Sequence, residues 1–436
     1  MGYQVTRNIR EWSLHEWKTT IQEVVGDNSN PVPFPSIFIC NVNRLKWSKA
    51  QEYNLTLDMI NYMFYQLQNF TGYIVKNESA LSAENDFIRW RKAHNFSYSD
   101  IFDKIAPSCE DMFIGDRVKN NFCKESNITP IDTLEYGRCQ RYDPNSSSYY
   151  FGSNGGLTLM LNAQTDDYIP LVGNNYLGEG LMLQVSYSGE EMGQWIRLTP
   201  GMRTSVAMQI KEQTIRKEEK SMLNPFAYFV SDPHCAENPK VKLLNTTRYT
   251  STNSWLDCSF EFTFPICNCI PYFQIKGYRT CEIEEMLNCQ DWSKYNIAEV
   301  ELTAMNDSFN QCVANIREPC SATLVDVQLS TTHFPSKRQN DSWKKYAESE
   351  IGGVTTTDLI LLDVYFRTFD VKLTERYEVM SFDNLISSSG GLIGLWAGMS
   401  FLTVFQAIGY LIVYFKKVKN SRFKTKTTKV DRSQSF

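Results

Sequence analysis

The feature that most constrains this chain is a run of 26 residues without a charged side chain, from Gly390 to Phe415. A helix of that length, at about 1.5 Å per residue, exceeds the roughly 30 Å hydrocarbon core of a bilayer. A buried core helix is the alternative, but such helices seldom run this far without a polar face. We therefore expect a transmembrane helix at 390–415 that tilts, kinks or partly leaves the bilayer.

The charge of the chain changes sign after this run. The whole chain carries a formal charge of −5, but residues 416–436 hold eight basic residues and one acid. Basic residues beside a span stay on the cytoplasmic side of the membrane. A nucleic-acid patch is the alternative for a basic run, but the position of this one favours the membrane, so no nucleic-acid partner is predicted. The interpretation is a basic cytoplasmic tail at 416–436 and an extracellular body before it.

Cysteines and glycosylation sequons support an extracellular body. All twelve cysteines precede residue 321, and such an even number is typical of disulfides formed in the secretory pathway. Nine asparagines stand in Asn-x-Ser/Thr sequons, none of them after the apolar run. These predicted glycosylation sites are Asn54, Asn69, Asn77, Asn95, Asn127, Asn145, Asn245, Asn306 and Asn340.

The N-terminal segment does not supply the translocation signal that an extracellular body requires. Residues 1–30 carry seven charged side chains and no apolar core, so they form neither a signal peptide nor a membrane anchor. We expect that the sequence is an incomplete gene product or that an upstream segment has been removed.

Periodicity indicates an α+β fold for residues 33–389. A proline-bounded strand is predicted at 32–40, and apolar spacing predicts a helix within 50–70. Residues 258–320 hold seven of the twelve cysteines and some helical pattern, which indicates a disulfide-rich subdomain. Further strands are predicted at 157–161, 181–187, 203–211 and 358–371.

A pattern of glycines marks the segment SSSGGLIGLWAGMSFLTVFQ, which runs from Ser387 to Gln406. It resembles the second membrane span of the degenerin/epithelial sodium channel family, which includes the acid-sensing channels. That span shows two glycines, then Gly-Leu, then Gly-x-Ser, and an apolar run that closes in an acidic residue. The matching residues are Gly390, Gly391, Gly394, Leu395, Gly398 and Ser400.

Further matches lie upstream in the family's order. Phe34–Arg44 is similar to the strand after the first span, Gly155–Asn162 to a palm strand, and the cysteines of residues 253–325 to the thumb. The remaining matches are Tyr136–Tyr142, Phe334–Lys337 and Leu362–Phe366. The ordered set identifies a degenerin-like subunit of invertebrate type. It implies a disulfide-rich extracellular domain with palm, thumb and finger, a C-terminal transmembrane helix and a trimeric channel architecture in the plasma membrane.

The resemblance assigns the ion filter to Gly398, Met399 and Ser400. In such a filter, backbone carbonyls and hydroxyls replace the hydration shell of the ion, and glycine lets the backbone leave helical geometry. Gln406 stands where the family has a glutamate below the filter. The amide keeps an oxygen ligand but loses the charge.

The resemblance places five residues at the extracellular pore mouth or gate. Ser387 occupies the family's small-residue position, and Ser388 replaces an acidic residue of acid-sensing members. Gly390, Gly391 and Gly394 complete the group. Small residues permit close helix packing, and they also suit the convergence of three spans around a narrow pore.

Part of the disulfide pattern is also implied by the resemblance. Cys40 with Cys139 fits a palm bridge, and Cys109 with Cys123 fits a finger bridge. The other eight cysteines are expected to staple the thumb: Cys235, Cys258, Cys267, Cys269, Cys281, Cys289, Cys312 and Cys320. A zinc site at the Cys-Asn-Cys triplet is the alternative, but none of the four histidines has ligand spacing. No metal and no cofactor are predicted.

The leading functional hypothesis is a subunit of a trimeric amiloride-sensitive-type sodium channel. Na+ is the expected permeant ion, and related subunits in a homo- or heterotrimer and membrane lipid are the expected partners. The family's first membrane span is predicted to be missing. The alternatives are a single-pass extracellular glycoprotein receptor or adhesion protein and a non-conducting regulatory subunit. An enzyme is not predicted, because the chain shows no nucleophile elbow, metal-ligand pair or phosphate loop.

Overall fold

The chain divides into two compact units. The smaller comprises Met1–Thr20, Ile215–Pro233 and Glu375–Phe436, and the larger comprises Ile21–Thr214 and His234–Thr374. The computed structural model describes residues 2–13, 17–25, 32–67, 82–116, 122–125, 127–133, 136–144, 147–148, 150–170, 178–187, 194–215, 235–236, 249–270, 277–290, 299–350, 354–378, 382–398 and 401–430.

Strands and helices both occur throughout the described residues. The strands are β1 (Trp17–Val24), β2 (Val32–Pro33), β3 (Ser36–Asn41), β4 (Phe113–Asp116), β5 (Ile128–Thr133), β6 (Gly137–Tyr142), β7 (Ser147–Ser148), β8 (Leu157–Asn162), β9 (Leu181–Ser186), β10 (Ile196–Leu198), β11 (Met202–Ile215), β12 (Cys235–Ala236), β13 (Glu318–Pro319), β14 (Ser321–His333), β15 (Leu359–Phe366) and β16 (Val371–Glu378). The helices are α1 (Gly2–Ser13), α2 (Trp47–Glu52), α3 (Leu57–Leu67), α4 (Glu84–His94), α5 (Tyr98–Ile105), α6 (Cys109–Met112), α7 (Phe122–Glu125), α8 (Ser251–Cys267), α9 (Ile283–Gln290), α10 (Glu299–Ala314), α11 (Asn340–Glu350), α12 (Phe382–Ala397) and α13 (Phe401–Val430).

Two sheets share one apolar core in the larger unit. One sheet has the order β1-β16-β11-β15-β8-β4, with β14 also paired to β11, and the other has the order β10-β9-β3-β6-β5. Alternate residues of β3, such as Ile37 and Ile39, are buried with Leu159 and Leu161 of β8 and with Val364 of β15. Phe38 and Cys40, on the opposite face of β3, are buried as well, so this strand is covered on both faces. The α+β prediction is confirmed.

Two of the strand predictions each cover two strands of the structure. The predicted strand at 32–40 is β2 and β3, which belong to different sheets. The predicted strand at 358–371 is two strands, β15 and β16. Between them, Asp370 accepts a hydrogen bond from the Thr368 hydroxyl at 2.7 Å and donates one from its backbone N–H to the same hydroxyl oxygen at 3.1 Å. Such local side-chain bonds favour a turn over continued strand pairing.

The helix predicted within 50–70 is likewise two helices, α2 and α3. Asn54 lies between them with a φ of 55°. This left-handed conformation ends a helix, and asparagine tolerates it better than most residues. The apolar spacing behind the prediction begins at Leu57 and ends at Leu67, so it matches α3 alone and does not indicate α2.

Two asparagines of the motif Phe34–Arg44, at the end of β3 and just after it, hold the loop that follows β8. The Asn41 amide donates to the carbonyl oxygen of Ala163 at 3.2 Å, and the Asn43 amide donates to that of Asp167 at 3.1 Å. The Tyr168 hydroxyl lies 3.1 Å from Asn41 Oδ1, and burial raises the pKa of Tyr168 to about 12. The asparagines therefore satisfy backbone groups that would otherwise be buried without partners.

Five disulfides join described cysteines. Both bridges implied by the resemblance are present, Cys40–Cys139 between β3 and β6 and Cys109–Cys123 after α5. The others are Cys235–Cys320, Cys258–Cys312 and Cys269–Cys281. Cys267 is also disulfide-bonded, and the side chain of Cys289 lies outside the described residues.

Among the described residues, one group of three metal-ligating side chains is close enough to hold an ion. It consists of Cys269, Cys281 and Glu285. The two cysteines are bonded to each other, so neither offers a thiolate. Glu285 is paired with Arg279 at 2.8 Å. This group is therefore a disulfide beside an ion pair and not a metal site.

An arginine joins two helical parts of the larger unit. Arg91 of α4 donates from Nε to Glu284 of α9 at 3.1 Å, and its Nη1 lies 3.5 Å from Glu282. Only 14% of the Arg91 side chain and 24% of the Glu282 side chain are exposed. Burial raises the pKa of Glu282, and the charge of Arg91 opposes that rise.

Replacing Arg91 with Met should destabilise the protein most at neutral pH. Two nearly buried carboxylates lose their cation, so we expect a loss of about 2–3 kcal/mol at pH 7.5. A raised carboxyl pKa means that the folded state binds the proton more tightly, so stability falls as pH rises through that pKa. Without Arg91 the pKa of Glu282 rises further, and the loss should shrink toward pH 5. Thermal unfolding of the detergent-purified protein at both pH values measures this.

The matched control is Arg89→Met on the same helix. Arg89 is exposed and pairs only with the exposed Asp86, at 3.5 Å, as far as the described residues show. Its replacement should shift the melting temperature little at either pH. An Arg91→Met loss that is equal at pH 5 and pH 7.5 would contradict the proposed electrostatic cause.

Candidate functional site

The uncharged run 390–415 is divided between two helices. α12 ends at Ala397 and α13 begins at Phe401. The backbone N–H of Gly398 donates to the carbonyl oxygen of Gly394 at 3.0 Å, and Gly398 itself has a φ of 60°. A left-handed residue after the last helical bond is a common helix ending and favours glycine. The prediction of one helix over 390–415 is therefore wrong, because the chain leaves helical geometry at Gly398.

The break coincides with the start of the predicted filter. Gly398 is exposed, and a Cβ atom added to it would meet no atom within 4 Å. Its glycine identity is thus required by the backbone conformation and not by packing within the chain. Met399 and Ser400 lie outside the described residues.

The predicted mouth residues all lie on α12. Ser387 and Ser388 are exposed, and Gly390 and Gly394 are half-buried. A Cβ atom on Gly391 would meet no atom within 4 Å. The helix therefore brings these five residues together along one segment before the break. Gln406, the predicted lower-pore residue, lies exposed on α13, on the other side of the break.

α13 exposes large apolar side chains. The exposed ones include six consecutive residues, so they surround the helix. They are Leu402, Phe405, Ile408, Tyr410, Leu411, Ile412, Val413, Tyr414 and Phe415. An apolar surface of this kind marks a contact with lipid or with another protein. No helix in the described part of the chain has both the length and the apolar character needed to cross a bilayer.

The predicted basic tail begins inside α13. Lys416 and Lys417 follow the apolar residues without a helix end, and the helix continues to Val430. Residues 431–436 lie outside the described residues.

The structure shows a polar contact between α1 and α12 that the sequence did not predict. The amide Nδ2 of Asn8 donates to the hydroxyl oxygen of Ser388 at 2.8 Å. The two residues are 380 positions apart, and nothing in the polar segment around Asn8 indicates a partner. A helical spacing of Val5, Asn8 and Trp12 is the one available signal, because it places the three on one side of α1.

The structure describes the side chains of four of the nine asparagines that are predicted glycosylation sites. Asn54, Asn95, Asn127 and Asn340 are exposed, as glycan attachment requires. The side chains of the remaining five lie outside the described residues: Asn69, Asn77, Asn145, Asn245 and Asn306.

Comparison with known proteins gives one consistent result. The chain is 23% identical to acid-sensing ion channel 2 of Homo sapiens over 418 residues, which covers 92% of this chain and 76% of that protein. It is 24% identical to acid-sensing ion channel 1C of Danio rerio, over 91% of this chain and 73% of that protein. It is 23% identical to acid-sensing ion channel 1 of Gallus gallus, over 93% of this chain and 75% of that protein. The family model described as amiloride-sensitive sodium channel matches residues 1–410. This match covers nearly the whole chain and includes α12 and the start of α13, so the chain belongs to the amiloride-sensitive sodium channel family.

Proposed function

We propose that this chain is a subunit of a trimeric, amiloride-sensitive-type channel that conducts Na+ through a pore lined by residues 390–415. The observation that carries the proposal is the helix break at Gly398 in the middle of the uncharged run. An ordinary membrane anchor needs no such break, because unwound backbone at membrane depth is tolerated only where it lines a water path. The family is one of ion channels and not of enzymes.

In this proposal the bilayer is crossed by two consecutive helical segments instead of one helix. The end of α12, the three residues 398–400 and the start of α13, up to Phe415, together make up the 26 uncharged residues. The exposed apolar side chains of α13 contact lipid or the neighbouring subunits. The lysines from Lys416 onward then lie on the cytoplasmic side of the plasma membrane.

The break forms the ion filter in this proposal. The backbone leaves helical geometry at Gly398, and backbone carbonyl groups of the predicted filter together with the Ser400 hydroxyl would replace the water around the ion. Gln406 lies two turns further into α13 and provides a neutral amide ring in the trimer. Ser387, Ser388, Gly390, Gly391 and Gly394 line the mouth above the filter.

The open space around the glycines supports the trimer. Among the described residues of the same chain, no neighbour requires Gly391 or Gly398 to be small. Three copies related by a cyclic axis converge at a narrow pore, and there a small side chain is needed on each copy.

An extracellular location of the larger unit is supported by two observations. Its five described disulfides are typical of an oxidising compartment. The four described sequon asparagines are all exposed. We infer that this unit is glycosylated and lies outside the cell.

Modification of a cysteine at position 400 tests the filter. In cells that express the full channel protein, a charged thiol-specific reagent should abolish at least nine-tenths of the sodium current of Ser400→Cys. The reason is that three modified side chains would occupy the narrowest part of the pore. Ser349→Cys is the control, because Ser349 is exposed in the larger unit and its modification should leave the current unchanged.

The same recordings separate the alternatives. A current that survives complete modification of Ser400→Cys would exclude this residue from the filter. A chain that gives no current alone, but changes the current of a co-expressed related subunit, would be the non-conducting regulatory subunit. A glycoprotein that reaches the surface as a monomer, with no effect on any current, would be the receptor or adhesion protein.

A further inference from the structure

α1 contacts α12 along one side. Val5, Asn8 and Trp12 are half-buried, whereas Tyr3 and Ile9 are exposed. These three residues recur at i, i+3 and i+7, which is the spacing of one helix face. The two helices are in contact within the smaller unit. Asn8 is thus a polar residue between two apolar ones on the contact face.

The hydrogen bond of Asn8 depends on the rotation of α12. Its Nδ2 atom lies 2.8 Å from the Ser388 hydroxyl oxygen, and a bond of this kind weakens steeply when the atoms separate or misalign. Successive helix residues point about 100° apart, so a modest rotation of α12 about its axis would carry Ser388 away from Asn8. A single polar contact between apolar neighbours is a known way to specify one register of two helices.

Ser388 lies on α12, two residues before the uncharged run begins at Gly390. It is adjacent to Ser387 and ten residues before Gly398. A contact at Ser388 therefore acts on the same rigid helix that ends at the break. A rotation of α12 that changes the pore mouth would therefore also affect this hydrogen bond.

We propose that the Asn8–Ser388 hydrogen bond is a latch that holds α12 in one of two gating positions, with Asn8 as a positioning residue. This inference rests on the proposed channel function. The bond exists in one position and is lost in the other, so its removal shifts the equilibrium between them. A net hydrogen bond corresponds to a shift of about two- to tenfold in that equilibrium. A substitution at Asn8 changes no residue of the proposed mouth or filter, so the conductance of a single open channel should stay the same.

A double-mutant cycle tests the latch. Asn8→Ala and Ser388→Ala should each change the ratio of open to closed time by about two- to tenfold, in the same direction, in single-channel recordings of the full channel. The double variant should change it no further, because both substitutions remove one bond. Gln4→Ala is the control, since Gln4 is exposed on α1.

A crosslink gives a second result that does not depend on conduction. Asn8→Cys together with Ser388→Cys should form a disulfide under mild oxidation, detected by loss of thiol labelling. Oxidation should then hold the current at one level until a reductant is added. Independent effects of the two alanine substitutions, or a crosslinked channel that still gates normally, would overturn the latch. A crosslink that forms in a protein without any sodium current would overturn the proposed function instead.

Discussion

Replacing Arg203 with Met should destabilise the larger unit by about 3–5 kcal/mol. Arg203 of β11 donates from Nε to Asp363 of β15 at 2.6 Å, and only 1% of the Asp363 side chain is exposed. Asp363 also accepts a hydrogen bond from the Thr158 hydroxyl of β8 at 2.7 Å. Removal of the cation leaves a charge buried in the sheet core, and that costs far more than the loss of an exposed ion pair.

Replacing the other partner of this ion pair, Asp363, should destabilise the protein less. Asp363→Asn keeps an oxygen that can accept from Thr158, and Arg203, whose side chain is 43% exposed, remains hydrated. We expect a loss of about 1–2 kcal/mol for it. The double variant Arg203→Met/Asp363→Leu should be more stable than Arg203→Met alone, since no buried charge remains.

The measurement is thermal unfolding of the detergent-purified protein at one scan rate. Lys211→Met on the same strand is the control, because Lys211 has no ion pair with any residue of known position. It should melt within about 2 °C of the natural protein. Equal melting temperatures for Arg203→Met and Asp363→Asn would contradict the explanation based on a buried charge.

Replacing Gly180 with Ala should lower stability by about 4 kcal/mol and reduce the amount of protein that reaches the cell surface. Gly180 has a φ of 120°, which L side chains rarely adopt. An added Cβ atom would lie 2.2 Å from the carbonyl oxygen of Leu198. Gly180 also donates its N–H to the Tyr168 hydroxyl at 2.9 Å, so a backbone shift that relieves the clash would break this bond.

Gly277→Ala is the matched control for backbone strain. Gly277 has a φ of 90°, but a Cβ atom there would meet nothing within 4 Å. Its replacement should cost only about 1 kcal/mol, from the backbone conformation alone. Melting temperatures and surface biotinylation of the two variants measure the difference. Two variants of equal stability would mean that the contact with Leu198 contributes nothing.

The buried charge and the close contact both belong to the larger unit, whereas the proposed filter residues belong to the smaller one. We therefore expect surviving Arg203→Met channels to keep their single-channel conductance. The number of channels should fall while the filter stays unchanged, because stability determines how much folded protein is present.

The sequence by itself determined the family, the α+β class and most strand positions. These properties depend on local patterns: alternating apolar residues at 157–161 and 181–187, cysteine number, and glycine spacing in the uncharged run. Such patterns are readable because side-chain direction repeats with a fixed period in strands and helices. The break at Gly398 was indicated by the glycine, but its left-handed conformation was not.

The tertiary structure alone decided three things. It gave Gly398 its left-handed conformation between α12 and α13, it paired Arg203 with Asp363, and it brought Asn8 to Ser388. The paired residues lie 160 and 380 positions apart in the chain. No local period connects such residues, because their contact depends on how strands and helices from distant segments pack together. The Asn8–Ser388 contact could therefore be recognised only once the two ends of the chain were placed in one unit.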